Sequence, residues 1–276
     1  MSLLGIPPAP GAGRARYARA MALYAQGALS PAQLEAYRVA AAHDGPPNAT
    51  FADRGLPLPQ DSWPDDPILT AVDEADRYLA TLQGPGLAEV RAGIAAHRAA
   101  PLPPDPQSHP VVETHLPPAL KALHETHPAL AQALAQVAPL LHWHPYDRYP
   151  AETIGADFLH GNAYALLIGE GAPIPAPDFH LGLFLIAPHV VYRDHNHPAP
   201  ELYAPLTGPH GWRFDPKAPL VIKPAHQPVW NPSLQPHLIK IGPMPYLCLY
   251  GWTRDTDKPA LVIPADDWPA LETLRL

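Results

Sequence analysis

The sequence predicts a mainly β protein with an α-helical N-terminal region, on three observations. Up to about residue 140, apolar residues recur at spacings of three and four between Pro- and Gly-rich breaks, the period of helices that bury one face. From about residue 150, short apolar runs alternate with Gly, Pro and Asn, as in closely spaced strands of an antiparallel sandwich or barrel. Within that second half, Tyr192-Arg193-Asp194-His195-Asn196-His197-Pro198-Ala199-Pro200-Glu201-Leu202-Tyr203 gathers three potential metal donors and two tyrosines. The expected organisation is a helical region over 1–140 and a β-barrel domain over 141–276.

Residues 1–13, rich in Pro, Gly and Ala, read as a loose terminus. A short helix follows from Arg14 to Gln26, ended by Gly27. Ser30-Pro31-Ala32-Gln33 starts the next: Ser can cap, Pro suits the first turn, and Gln33 stands where a capping box needs it. That helix should stop at Asp44-Gly45-Pro46, and residues 45–67 read as an irregular crossing segment. Helices are expected over Asp66–Gln83 and Leu87–Arg98, then a proline-rich connection from Pro101 to Pro110. The clearest helix runs from Pro117 to Val137, with Leu116, Leu120, Leu123, His127, Leu130, Leu134, Val137 and Leu141 forming one stripe. His124 and His127 read as helix-surface residues, because no carboxylate or third donor is spaced to join them. Trp143 and Tyr146 mark the change of texture. The expected strands are Tyr164–Ile168, Leu181–Ala187, Val190–Tyr192, His195–Tyr203, Leu220–Lys223, His237–Ile241, Tyr246–Trp252 and Ala260–Ile263.

Composition narrows the function. A net charge of -8 over 276 residues, without a run of Lys or Arg, disfavours nucleic acid as a partner. The longest apolar stretch, Leu181 to Val191, is interrupted by Gly182, Pro188 and His189 and is too short for a membrane helix. The N-terminus lacks a basic region followed by an apolar core, so no signal peptide is expected. The single cysteine, Cys248, excludes an intrachain disulfide and fits a reducing, cytoplasmic setting. No Gly-rich loop opens a helix and no Gly-x-Ser-x-Gly is present, so phosphate-cradle and serine-hydrolase chemistry have no motif here.

If residues 195–203 run as one strand, His195, His197, Glu201 and Tyr203 share a face. Two imidazoles, a carboxylate and a phenol on one buried face need something to offset their desolvation, and a divalent cation does so. These donors suit Fe, Zn, Mn or Ni, and do not choose between them. On Tyr246–Trp252, alternation places Tyr246, Cys248, Tyr250 and Trp252 together, an aromatic face able to hold a cationic group. Cys248 reads as a small lumen-facing filler. Trp230, in the turn-like Trp230-Asn231-Pro232, is a further substrate-contact candidate and equally a structural wedge. His226 competes with His237 for the last ligand position; Pro232 and the alternation after His237 favour His237.

His195-x-His197, three residues, Glu201, six residues and Gly208 match the first motif of the cupins. The glycine expected six residues before the first His is replaced by His189. The second motif is partly kept, with Pro232 five residues before His237, and Leu234 and Ile241 standing for its glycine and asparagine. More narrowly, Tyr-x-x-His-x-His-x-x-x-Glu-x-Tyr, with Asp178-Phe179-His180-Leu181-Gly182-Leu183 upstream and Tyr250-Gly251-Trp252 downstream, resembles the cupin-type dimethylsulfoniopropionate (DMSP) lyases over residues 140–255. The resemblance implies a cupin barrel (a double-stranded β-helix, or jelly roll) behind a helical region, a divalent transition metal, and cleavage of DMSP to dimethyl sulfide and acrylate. It implies His197, Glu201 and His237 as metal ligands, with His195 a fourth ligand or an adjacent group. It further implies Tyr203 as base, Tyr192 as a substrate contact and Trp252 against the substrate's cationic end; Tyr250, on the same aromatic face as Trp252, is a further substrate-contact candidate. The expected partner is a small zwitterion, with a homodimer through the helical half as the expected assembly. A related metal cupin acting as dioxygenase or isomerase on another small carboxylate or sugar stays open at this point, as does a non-catalytic small-molecule binder.

Overall fold

In the computed structural model of the chain, residues 3, 4, 6–25, 29–56, 58 and 66–276 are described. The chain divides into two compact units, Met1–Thr70 with Arg98–Pro104, and Ala71–His97 with Asp105–Leu276. This differs from the expected split at residue 140. The helices between residues 71 and 140 belong to the strand-bearing unit, because those over Leu87–His97 and Pro110–Thr126 lay side chains on the sheet that follows.

In the first unit, α1 (Ala12–Ala25) packs beside α2 (Pro31–Ala41) and α3 (Pro47–Asp53) follows. Gln26 and Gly27, expected to close the first helix, lie outside the described residues. The capping box at α2 is formed as its residue types require: Ser30 Oγ accepts from Gln33 N, and Gln33 Oε1 accepts from Ser30 N. The expected loose start is tied at the head of α1, and the helix is held again near its middle. Asp44 accepts from the backbone N–H groups of Gly11 and Gly13, and the buried Arg19 pairs with Asp66. Helix α3 interrupts the segment expected to be irregular.

The second unit takes up α4 (Pro67–Thr81) from its second turn, then α5 (Leu87–His97), α6 (Pro110–Thr126) and α7 (Pro128–Val137). The single helix expected from Pro117 to Val137 is thus two. His127 has φ -134° and ψ 68°, outside the helical range, because Pro128 offers no N–H to continue the ladder and begins a new helix instead. The apolar stripe survives the break, since Leu116, Leu123, Leu130, Leu134 and Val137 are all buried. Helix α6 also starts earlier than expected, at His109, whose ring nitrogen caps Val111 N, and tolerates Pro117 and Pro118 on its exposed side. Short α8 (Ala151–Ile154) and α9 (Ala156–His160) precede the strands.

The strands are β1 (Asn162–Gly169), β2 (Ile174–Pro175), β3 (His180–Ile186), β4 (Val191–Asn196), β5 (Glu201–Pro205), β6 (His210–Arg213), β7 (Val221–Lys223), β8 (Val229–Asn231), β9 (His237–Lys240), β10 (Tyr246–Trp252) and β11 (Leu261–Val262), followed by α10 (Trp268–Thr273). They form a six-stranded sheet, β2-β1-β3-β10-β5-β8, and a five-stranded sheet, β11-β4-β9-β6-β7. Phe184, Tyr192, Trp212, Ile239, Tyr246 and Cys248, from both sheets, share one buried cluster. Among the described residues no helix is long and apolar enough to cross a membrane.

Two backbone features place the site. The expected continuous strand 195–203 does not exist: Pro198 and Pro200 lack ladder donors, and the chain crosses there from β4 in one sheet to β5 in the other. Secondly, the β4–β9 register shifts between Tyr192 and His195. An odd separation of three residues would send these two side chains to opposite faces; the irregularity turns both inward.

Glycine is missing where the cupin motifs expect it, yet the backbone keeps the glycine conformation. His189 has φ 66° and Leu234 has φ 62°. Each holds a left-handed geometry that costs a residue with a Cβ roughly 1–2 kcal/mol. Gly86 shows the opposite case: its φ is 80°, and a Cβ there would lie 1.9 Å from the Trp230 ring.

Candidate metal centre and its cavity

Three imidazoles meet in the interior. His195 on β4 pairs in register with His237 on β9, and His197 arrives from the crossing between β4 and β5. One ring nitrogen from each lies within 4.8 Å of the other two, and all three residues are buried. Every Nδ1 is held by a backbone carbonyl: His195 to Arg193 O at 2.8 Å, His197 to Ala199 O at 2.7 Å, and His237 to Gln235 O at 2.9 Å. A carbonyl only accepts, so Nδ1 carries a proton in each ring and the three Nε2 atoms are left to turn toward one another.

Glu201 begins β5 beneath them. Its Oε2 lies 3.0 Å from His197 Nε2 and 3.5 Å from His237 Nε2, while Oε1 accepts from Trp252 Nε1 at 2.7 Å. Burial pushes its carboxyl up, but His197 and His237 outweigh that and hold it at about 2. Burial drives His195 well below its ordinary value, with His237 and His197 adding to the effect.

These atoms fit a divalent cation. The Nε2 atoms of His195 and His237 are buried and form no hydrogen bond. His197 Nε2 lies 3.0 Å from Glu201 Oε2, a spacing that two donors to one cation also adopt. Neutral imidazoles oriented by second hydrogen bonds, plus one carboxylate, are the donors that Zn, Fe, Mn and Ni accept. His226 takes no part. Its ring bonds Tyr78 Oη at 3.0 Å and Thr126 Oγ1 at 3.2 Å, away from the three histidines.

Beside the centre lies a recess of about 480 Å³, open solvent at its mouth included. Glu201 and Tyr203 form part of its floor, and Tyr192, Phe184, Tyr250, Trp252, Tyr146 and Tyr164 its walls. The apolar lining suits a small organic molecule. Tyr203 is buried beside Tyr246 and His237, with ring centroids 6.3 and 6.0 Å away. Burial raises its phenol well above the ordinary value, with Glu201 contributing in the same direction. Tyr192 stacks on His195 at 3.9 Å and on Phe158 at 4.1 Å, and its hydroxyl lies 2.8 Å from that of Tyr149. Trp252 bonds Glu201 and packs between two imidazoles, His197 at 4.7 Å and a stacked His180 at 5.8 Å. Burial lowers His180 to about 4, leaving a neutral imidazole in the wall.

Trp230 does not line the recess. It pairs with Leu202 on the outward face of β5–β8 and packs against Gly86, so it is the structural wedge of the two readings. Cys248 faces the core as expected, and burial raises its thiol. Sequence reasoning missed Tyr146, Arg148, Tyr149 and His180. For the first three the local signal is the density of aromatic and charged residues in Trp143-His144-Pro145-Tyr146-Asp147-Arg148-Tyr149, unusual for a plain connection; His180 stands in the upstream motif without a role. Arg148 is the cation in the cavity lining.

Comparison with known proteins agrees with this geometry. The family model described as dimethylsulfoniopropionate lyase matches residues 89–248. The dimethylsulfoniopropionate lyase DddQ of Ruegeria pomeroyi is 28% identical over 172 residues, covering 59% of this chain and 83% of that protein. The crystal structure of DddQ from Ruegeria pomeroyi DSS-3 aligns with a TM-score of 0.52 at 22% identity, covering 73% of this chain and 98% of that one. A structure described with the DMSP lyases RdDddP and RnDddQII aligns at 0.51 and 18% identity, covering 72% and 98%. The two structural likenesses establish the shared cupin fold.

Proposed function

The chain belongs to the dimethylsulfoniopropionate lyase family, and from that premise we propose that it cleaves the carbon–sulfur bond of DMSP in a metal-dependent β-elimination. The observation that carries the reading is the meeting of three buried imidazoles with Glu201, the carboxylate that lines an aromatic cavity also presenting Tyr203. A divalent cation bound by His195, His197, Glu201 and His237 supplies Lewis acidity toward the substrate carboxylate and positive charge beside Tyr203.

The residues then divide the work. Tyr203, as phenolate, takes the α-proton; that C–H pair becomes the new double bond, and the β-carbon–sulfur pair leaves with neutral dimethyl sulfide, giving acrylate. Trp252, Tyr250 and Tyr164 offer ring faces to the sulfonium, at ~0.5–2 kcal/mol per ring depending on desolvation. Trp252 also fixes the Glu201 carboxylate through Nε1. Tyr149 and Phe158 hold Tyr192 in the cavity wall, where its hydroxyl orients the substrate. The apolar wall excludes water, which strengthens each of these interactions.

The test is headspace dimethyl sulfide, with acrylate by NMR, after adding DMSP to metal-loaded protein. Tyr203→Phe should reduce release by ~10²–10⁴, the range for a positioned general base, while retaining metal. Full activity in that variant would remove the base, and no dimethyl sulfide from the wild type would remove the assignment.

A further inference from the structure

Strand β5 has Trp252 of β10 directly opposite Glu201 on one side and Asn231 of β8 directly opposite it on the other. Directly paired residues in antiparallel strands project from the same face, with Cβ atoms ~4.5–5.5 Å apart. Asn231 therefore flanks the metal-binding carboxylate in the mirror position to Trp252. Alternation along β8 agrees: Val229 and Asn231 are buried, and Trp230 between them is turned outward.

The state of the Asn231 side chain is unusual. The residue is 1% exposed, yet neither Nδ2 nor Oδ1 has a hydrogen-bond partner. Leaving an amide buried and unpaired at both ends forfeits its hydration with nothing in return. An apolar residue would avoid that cost altogether at a strand position that needs no polarity for pairing. The side chain offers one donor and one acceptor next to Glu201, the complement of a water molecule.

We propose that Asn231 is a positioning residue of the metal centre, holding an ordered water against the Glu201 carboxylate. Trp252 restrains Glu201 from one side, and the Asn231-bound water restrains it from the other, so that Oε2 is aimed at the cation. The role rests on the metal-site reading above. It assigns Asn231 to metal affinity and not to fold stability, and the two respond with opposite signs.

The test compares full-length wild type, Asn231→Leu and Asn231→Ser, each stripped of metal. Thermal unfolding of the stripped protein is measured first, then Ni(II) affinity by competition with a chromophoric chelator. Asn231→Leu should unfold at the same or a higher temperature while binding Ni(II) 10–100-fold more weakly, the usual loss for an outer-sphere partner of a metal ligand. Asn231→Ser, whose hydroxyl both donates and accepts, should recover part of that loss. If Asn231→Leu does not fold, Asn231→Val removes the amide with less bulk and is read the same way. Wild-type affinity in the apolar variants, or a lower unfolding temperature as their only effect, overturns the role of Asn231. Absence of Ni(II) binding by the wild type overturns the metal centre itself.

Discussion

Two groups of histidines in the strand-bearing unit look alike by proximity and differ in what their nitrogens are doing. His127 and His226 have ring centroids 4.4 Å apart, as close as His195 and His237 at 4.0 Å. In the first group, His226 spends both nitrogens on hydroxyls, and His127 Nδ1 bonds Thr126 Oγ1 at 2.9 Å. In the second, each Nδ1 is anchored to a backbone carbonyl and the Nε2 atoms converge with a carboxylate. Clustering brings imidazoles together for ordinary packing reasons; the proposed ligand set is the group whose Nε2 atoms converge on one another and on a carboxylate. Nothing in the histidine count distinguishes the two.

The contrast breaks most readily at His237. His237→Ala should weaken divalent-metal binding by more than ~10²-fold, beyond the loss typical of an outer-sphere partner. His226→Asn, which tolerates the left-handed backbone at that position (φ 65°), should leave the affinity unchanged. Chelator competition on both variants decides it, and equal losses would erase the distinction.

Acid provides the next largest effect, through two histidines outside both groups, His210 buried and His180 half-buried. Burial lowers His180 and His210 from 6.5 to about 4. Below pH 6.5 the unfolded chain takes up their protons and the folded chain does not, so stability falls with pH until about pH 4. Each should contribute a loss of ~2 kcal/mol between pH 7.5 and 5. Chemical denaturation of metal-free protein at the two pH values measures it, and His210→Gln should flatten the dependence. A stability that rises toward pH 5 would contradict the neutral, buried state.

Smaller effects sharpen the same comparison. His226→Asn should cost about 1 kcal/mol of stability, because it breaks a hydroxyl network whose bonds are worth that order each. Leu234→Gly, at an exposed left-handed position, should stabilise by ~0.5–1 kcal/mol, the strain relieved less the added chain entropy. Unfolding midpoints read both.

Most of the barrel was legible because its signals are local. Tyr246–Trp252 alternates as expected, and β1, β3, β9 and β10 fall where short apolar runs stand between turn residues. The cluster His195, His197 and Glu201 was legible for the same reason, although the proposed geometry was not its cause. A prolyl crossing and a register shift, not one strand, bring those side chains together. Features that depend on pairing between distant segments were hidden. The outward face of Trp230 and the inward face of Asn231 follow from the β5–β8 register, and Tyr149 reaches the wall only through an irregular connection. The replaced motif glycines misled in a different way, since His189 and Leu234 carry the backbone geometry without the residue that makes it cheap. Pro128 alone divided the long helix.

The central claim is that one cation sits among His195, His197, His237 and Glu201. X-ray absorption at the metal edge of nickel-loaded protein tests it directly. The expected spectrum shows imidazole scattering from three rings together with carboxylate oxygen, and loses one ring in His237→Ala. A shell of oxygen alone, or a spectrum unchanged by that substitution, would contradict the claim.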